Sequence, residues 1–244
     1  MGGDGGASRV ALVVGGSGGL GAAVCRALAA DGYAVAVHYA AGGDRAEAVA
    51  AGCGGPAMTC RADIASWDEV DKMVLDVADA LGPVGVLVNA GAVRHDGLLA
   101  TQPRDEWERT LSVNLLGTFH TCRRVLPEMV VRRWGRIVNV VSPIGFGGNP
   151  GQTAYAASKA GVVALTRSLA LECGRRGVTA NAVSPGFMDT GLVAGLTPAV
   201  RDGLVGRSAI RRPVEPGEVA AAVTFAVTNA ALTGAVVPVD GGMS

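Results

Sequence analysis

From Arg9 onward, short uninterrupted apolar runs alternate with longer stretches in which apolar positions recur every three or four residues. RVALVV (9–14), AVAVHY (34–39), AMTCRA (57–62), VGVLVN (84–89), GRIVNVV (135–141), VTANAV (178–183) and AVVPVD (235–240) read as seven strands. Because these runs are continuous instead of alternating, each strand is expected to be covered on both faces. Residues 19–32, 67–82, 104–133, 153–177 and 215–229 have helical period and fall between the strands. Such a strand–turn–helix rhythm predicts one α/β domain over 9–244, a doubly wound seven-stranded parallel sheet with helices on both faces. Residues 1–8, MGGDGGAS, have no pattern and are expected to form a flexible tail.

Composition narrows the function classes. Of the 244 residues, 49% are hydrophobic and only 4% aromatic, so the core must be built from Val, Ala and Leu. Net charge is zero and no basic patch exceeds an Arg pair, which argues against a nucleic-acid partner. No apolar run approaches the ~20 residues of a membrane span, and the first residues lack the charged start and apolar stretch of a signal peptide. Cys25, Cys53, Cys60, Cys122 and Cys173 form no CxxC pair, and three histidines are too scattered for a zinc site. The expectation is a cytoplasmic protein with reduced thiols and no bound metal.

Directly after the first strand, GGSGGLG (Gly15 to Gly21, including Ser17, Gly18, Gly19 and Leu20) opens a helix. Glycines there let a pyrophosphate approach exposed amides at the positive end of the helix dipole, so the turn is a dinucleotide-binding candidate. The second strand ends at His38 and Tyr39, the region that reads the adenosine ribose. No carboxylate occupies that tip; Asp44 and Arg45 follow a Gly pair, which leans toward NADP(H) with NAD(H) still open. Asp63, beside Ile64, can accept from an adenine amino group or cap the helix that begins near Trp67.

Tyr155 and Lys159 are four apart, so on a helix they share a face one turn apart. A neighbouring ammonium favours the phenolate; lowering a phenol from about 10 by about three units takes about 4 kcal/mol of differential interaction. A plain surface pair has the same spacing. Ser142 equally reads as a strand end, and Asn114 is a mediocre helix former.

Taken in order, GGSGGLG, VNAG (88–91), SVNLLG (112–117), Ser142 with YAASK, NAVSPGFMDT (181–190) and VDGG (239–242) resemble the classical short-chain dehydrogenases/reductases over nearly the whole chain. The resemblance is closest to the 3-oxoacyl-acyl carrier protein reductases and polyketide ketoreductases, and it implies a Rossmann-type fold. It implies Asn114, Ser142, Tyr155 and Lys159 as a catalytic tetrad, with Asn114 holding a water that replenishes the proton through Lys159. It further implies Asn89, Ala90 and Gly91 beneath the nicotinamide ribose, and Pro185, Gly186, Met188 and Thr190 around the carboxamide. Departures are Val14, Val88, Gly18 and Pro143, the last directly after the serine.

On that reading Tyr155 donates the proton and Ser142 hydrogen-bonds the same carbonyl oxygen as hydride arrives. The expected reaction is NADPH-dependent reduction of a β-ketoacyl thioester in fatty-acid or polyketide assembly. Its rivals are a free alcohol, sugar or steroid dehydrogenase and a non-catalytic cofactor sensor. Residues 187–213, with Gly191, Gly195, Gly203 and Gly206 among Leu192, Val193, Leu196 and Leu204, suggest a substrate lid. Arg133 and Arg176 match the family's carrier-docking positions, or are solvated helix ends. EVAAAVTFAV and the last strand resemble family subunit contacts, implying a homotetramer.

Overall fold

The structure is a computed structural model and describes residues 9–190 and 197–243. The strands are β1 (Val10–Val14), β2 (Ala34–Tyr39), β3 (Ala57–Arg61), β4 (Val86–Asn89), β5 (Gly135–Val140), β6 (Val178–Pro185) and β7 (Val236–Val239). They form one parallel sheet in the order β3-β2-β1-β4-β5-β6-β7, as expected. The order reverses between β1 and β4, which opens a crevice beyond their C-terminal ends.

The helices are α1 (Gly19–Ala30), α2 (Gly43–Ala51), α3 (Trp67–Leu81), α4 (Arg104–Leu111), α5 (Gly117–Arg132), the single turn α6 (Ile144–Gly147), α7 (Thr153–Cys173), α8 (Pro198–Arg207) and α9 (Pro216–Thr228). Side chains along each strand alternate between two core layers. Val13 and Val37 meet Leu20, Val24, Val219 and Val223 under α1 and α9, whereas Leu12, Val14 and Leu87 meet Val70, Met73, Val125 and Met129 under α3 and α5.

Three features depart from the sequence reading. Helix α2 was not expected, because only Ala46 and Val49 of its nine residues are buried and the rest carry no period. The expected single helix over 104–133 is two helices joined by a π turn at Ser112–Leu116, the place of Asn114. Ser66, not Asp63, caps α3: its hydroxyl accepts from the Glu69 amide at 3.4 Å. The expected tail and six lid residues, Gly191, Leu192, Val193, Ala194, Gly195 and Leu196, lie outside the described residues. Helix α8, within the segment expected to form a lid, buries none of its side chains, and Arg201 in it pairs with Asp189 at 2.6 Å.

Candidate active site

After β1 the chain turns through Gly15, whose φ of +74° disfavours a side chain. A Cβ there would lie 2.6 Å from the Gly91 Cα, and one at Gly21 would lie 2.1 Å from the Gly15 carbonyl oxygen. The loop is thus wedged between the end of β4 and the first turn of α1, while exposed Gly18 faces outward. The amides of Gly19, Leu20 and Gly21, at the positive end of a twelve-residue helix, have no acceptor among the described residues. Half-buried Ser17 sits in the same turn, and Thr190 closes the far side, its Cβ and Oγ1 each 3.0 Å from where a Gly19 Cβ would stand. Such a cradle of unpaired donors at a helix start suits a pyrophosphate.

His38 does not present an atom to that cradle. Its ring is 3% exposed; Nδ1 accepts from the Gly15 amide and Nε2 donates to the Ala62 carbonyl, each at 3.0 Å. Burial pushes its pKa below the ordinary value, which keeps the neutral ring that this pairing needs. The expected cofactor contact is therefore corrected: His38 braces the glycine turn from inside the sheet.

At the tip of β2, Tyr39 is half-buried and Gly43 packs on its ring. Gly42, at φ +77°, lies under the Arg45 guanidinium, so close that a Cβ would be 2.7 Å from Nη2. Exposed Arg61 stands opposite Tyr39 in the parallel register. Asp63 takes the Ala65 amide at 3.0 Å and the Arg109 guanidinium at 2.9 Å. Partial burial opposes its charge, but Arg109 and the amide outweigh that and hold the carboxyl below its usual value. Ile64 is buried against Gly117.

The expected tetrad converges at the same sheet edge. Ser142 follows β5, and its hydroxyl is near enough to the Tyr155 phenol, in the first turn of α7, to favour the phenolate. Pro143 begins the α6 turn with φ −52° and ψ −29°, its carbonyl accepting from Phe146 at 3.0 Å. Proline lacks only an amide that a helix start leaves unpaired, so here it pre-sets the turn that follows the serine. Lys159 is 4% exposed and donates to the Val140 carbonyl at 2.8 Å, its ammonium 5.6 Å from the Tyr155 ring centre.

Their ionisation differs from the sequence expectation. Burial, with no carboxylate partner, pushes Lys159 down to about 8. Tyr155 is raised, not lowered: burial dominates over the Ser142 hydrogen bond and the Arg94 charge, and Asp96 adds to the rise. Asn114 is 1% exposed and spends its amide on the neighbouring loop, accepting from Val93 N and donating to Val93 O, both at 2.9 Å, and to Ser158 Oγ at 3.2 Å. The π turn puts the asparagine where it clamps that loop.

Asn89 is buried as well, within a chain the motifs did not reveal. Thr121 donates to Asn89 at 2.8 Å, Asn89 to Asn139 at 2.9 Å, and Asn139 to Thr166 at 2.8 Å, linking α5, β4, β5 and α7. Ala90 and Gly91 continue β4 along the crevice floor, and Pro185, Gly186 and Met188 extend β6 toward Thr190. Gly186 packs against the Asp240 backbone, 2.7 Å from a would-be Cβ.

Arg133 and Arg176 are not at this cleft in the same chain. Both precede strands, β5 and β6, and so lie at the N-terminal edge of the sheet, about 20 Å away by the rise of a six-residue strand. Arg133 closes α5 with φ +55° and donates to the Arg175 carbonyl at 3.3 Å. Among the described residues, no three His, Cys, Asp or Glu side chains converge as a metal site, and no helix is long and apolar enough to cross a membrane.

Amides that welcome a pyrophosphate and a phenol that handles a proton, at one edge of a doubly wound sheet, are the requirements of nicotinamide-dependent oxidoreduction, and that is the class of this enzyme. Residues 9–201 match the family model described as short chain dehydrogenase, and the chain belongs to that family. It is 38% identical over 241 residues to the 3-oxoacyl-[acyl-carrier-protein] reductase FabG of Staphylococcus epidermidis, covering 97% of this chain and 99% of that protein. The 3-oxoacyl-[acyl-carrier-protein] reductase of a Synechocystis species is 38% identical over 242 residues, 97% of each chain. Acetoacetyl-CoA reductase of Allochromatium vinosum is 35% identical over 242 residues, 97% of this chain and 98% of its own.

Proposed function

We propose that the protein reduces β-ketoacyl thioesters borne by an acyl carrier protein to the β-hydroxyacyl form, with NADP(H) as the preferred cofactor. Ser142 at the end of β5 and Tyr155 with Lys159 on the first turns of α7, beside the glycine cradle, carry this reading, and the full-length similarity to reductases of such thioesters supports it. Gly15 to Gly21, Asn89 to Gly91 and Pro185 to Thr190 would hold a reduced nicotinamide, which when bound would supply the hydride. Ser142 and Tyr155 then both donate to the substrate oxygen as negative charge grows on it, and Tyr155 gives up its proton. Lys159 returns that proton from one turn away while it is an ammonium, below about pH 8, and regains its own from solvent. Asn114 keeps the loop at Val93 in register with α7.

Arg45 over Gly42 and Arg61 opposite Tyr39 support the preference for a 2′-phosphate, since two cations stand at the end of β2 and no carboxylate occupies the strand tip itself. A carrier docked at Arg133 and Arg176 would serve the cleft of a neighbouring subunit, in keeping with a homotetramer. Edge strand β7 and Phe225 on α9, 51% exposed, are the surfaces such an assembly would cover. Five buried free cysteines suit a reducing cytoplasm.

The test is cofactor oxidation by wild type and Tyr155→Phe with NADPH or NADH, against acetoacetyl thioesters and a panel of free ketones. NADPH with the thioester is expected to be fastest, and Tyr155→Phe to lose about 10²- to 10⁴-fold in turnover while still binding cofactor. Faster reduction of free ketones would overturn the substrate assignment. Undiminished turnover by Tyr155→Phe would overturn the mechanism.

A further inference from the structure

The ammonium expected to face the Tyr155 hydroxyl is occupied elsewhere, since Lys159 donates to the Val140 carbonyl at 2.8 Å and loses its charge near pH 8. A different cation, Arg94, stands on a loop fastened to the start of the helix that bears Tyr155. Asn114 grips both backbone groups of Val93, and the next residue, Arg94, keeps only 20% of its side chain exposed. Its Nε lies 3.1 Å from an Asp96 carboxylate oxygen. Asp96 is held in turn by Gln152, whose Nε2 stands 3.2 Å from both oxygens. One residue along on each side, the Gly97 amide donates to the Gly151 carbonyl at 2.9 Å. The loop is therefore strapped to the residues that immediately precede α7, three positions before Tyr155.

Gln152 adds a second indication. It is 6% exposed and its Oε1 has no hydrogen-bond partner among the described residues. Burying an acceptor unmet is unfavourable, so the amide is spent on Asp96 at the expense of its own oxygen.

We propose that Arg94, aimed by the Asp96–Gln152 pair, is a positioning residue for Tyr155: a permanent cation that stabilises negative charge on the phenol oxygen when its proton leaves. This rests on Tyr155 being the proton donor. Arg94 favours the phenolate and Asp96 opposes it, so the ion pair sets how much of the cation Tyr155 feels. The other groups around the phenol are the Ser142 hydroxyl from the end of β5 and Lys159 from its own helix. Beyond β6, Asp189 is turned toward Arg201, and His95 in the loop is hydrogen-bonded to Thr110. An arginine suits the task because its charge persists at every working pH.

The experiment is a phenolate absorbance titration of the whole enzyme, with each spectrum referenced to the same protein carrying Tyr155→Phe. It compares wild type, Arg94→Gln, Arg94→Lys and Asp96→Asn, alongside the pH profile of kcat/KM with NADPH and an acetoacetyl thioester. Arg94→Gln is expected to lower the phenolate fraction at a given pH by about three- to tenfold, Arg94→Lys to keep most of it, and Asp96→Asn to raise it. Unchanged Tyr155 titration in Arg94→Gln, or in both milder variants if that one does not fold, overturns the proposal even if activity falls. Shifted titration in a protein that reduces no thioester upholds the proposal while refuting the proposed substrate.

Discussion

Lys159 offers a test in which the sign is unusual. A lysine that gains a carboxylate on folding binds its proton more tightly in the native state; this one is buried against a carbonyl and goes from 10.5 to about 8. Between those values the unfolded chain holds a proton that the native protein has released, so stability rises with pH across the window. Below about pH 8 both states are protonated and the native one carries the whole penalty of a buried charge. A shift of this size corresponds to about 3 kcal/mol, most of which is recovered between pH 7 and pH 10. Urea unfolding of wild type and Lys159→Met at one-unit steps over that range measures it. Packing changes in the variant displace the whole difference curve, and cysteines and other tyrosines titrate in both proteins, so neither produces the slope. Wild type is expected to gain about 2–3 kcal/mol on the variant from pH 7 to pH 10. A difference that stays flat, or falls, would refute the claim that an unpaired buried amine beside Tyr155 is kept at the expense of stability, a trade found where function needs a strained group.

Two glycines of the same turn should behave in opposite ways. Gly21→Ala would put a Cβ 2.1 Å from the Gly15 carbonyl oxygen, and loss of at least tenfold in NADPH affinity with a lowered melting temperature is expected; Gly18→Ala, whose nearest neighbour is at 3.4 Å, should melt as wild type does. At the end of β2, Arg45→Ala is expected to weaken NADPH binding by about ten- to a hundredfold, the loss of one charge-assisted contact, and to leave NADH nearly unchanged. Fluorescence titration with both cofactors decides it, and equal losses would remove Arg45 from 2′-phosphate recognition.

The sheet was legible because burial on both faces writes a strand as an unbroken apolar run, as in VALVV, and because glycine turns punctuate the helices. Helix α2 was not, since a stretch with two buried residues has no stripe to detect. The glycine turn and the Ser–Tyr–Lys spacing carry their chemistry in sequence. The roles of His38 and Asp63 do not, because what those side chains meet, Gly15 and Arg109, lies 23 and 46 positions away. Nothing local marks SVNLLG as a π turn, since its extra residue shows only in how the backbone hydrogen bonds are shared. Arg94, Asp96 and Gln152 escaped for a related reason: a loop and a helix start meet only after the sheet has brought β4 and β5 together.

The buried chain from Thr121 through Asn89 and Asn139 to Thr166 has a consequence for how this enzyme can change over generations. Each inner member serves two neighbours, so any single replacement strands a donor or acceptor at about 1–3 kcal/mol, a large bite from the 5–15 kcal/mol that separates folded from unfolded. A lineage can cross to an all-apolar interior there only by several substitutions arriving together. The four side chains act as one unit, and they hold the helix bearing Tyr155 and Lys159 to the strand that leads into Ser142.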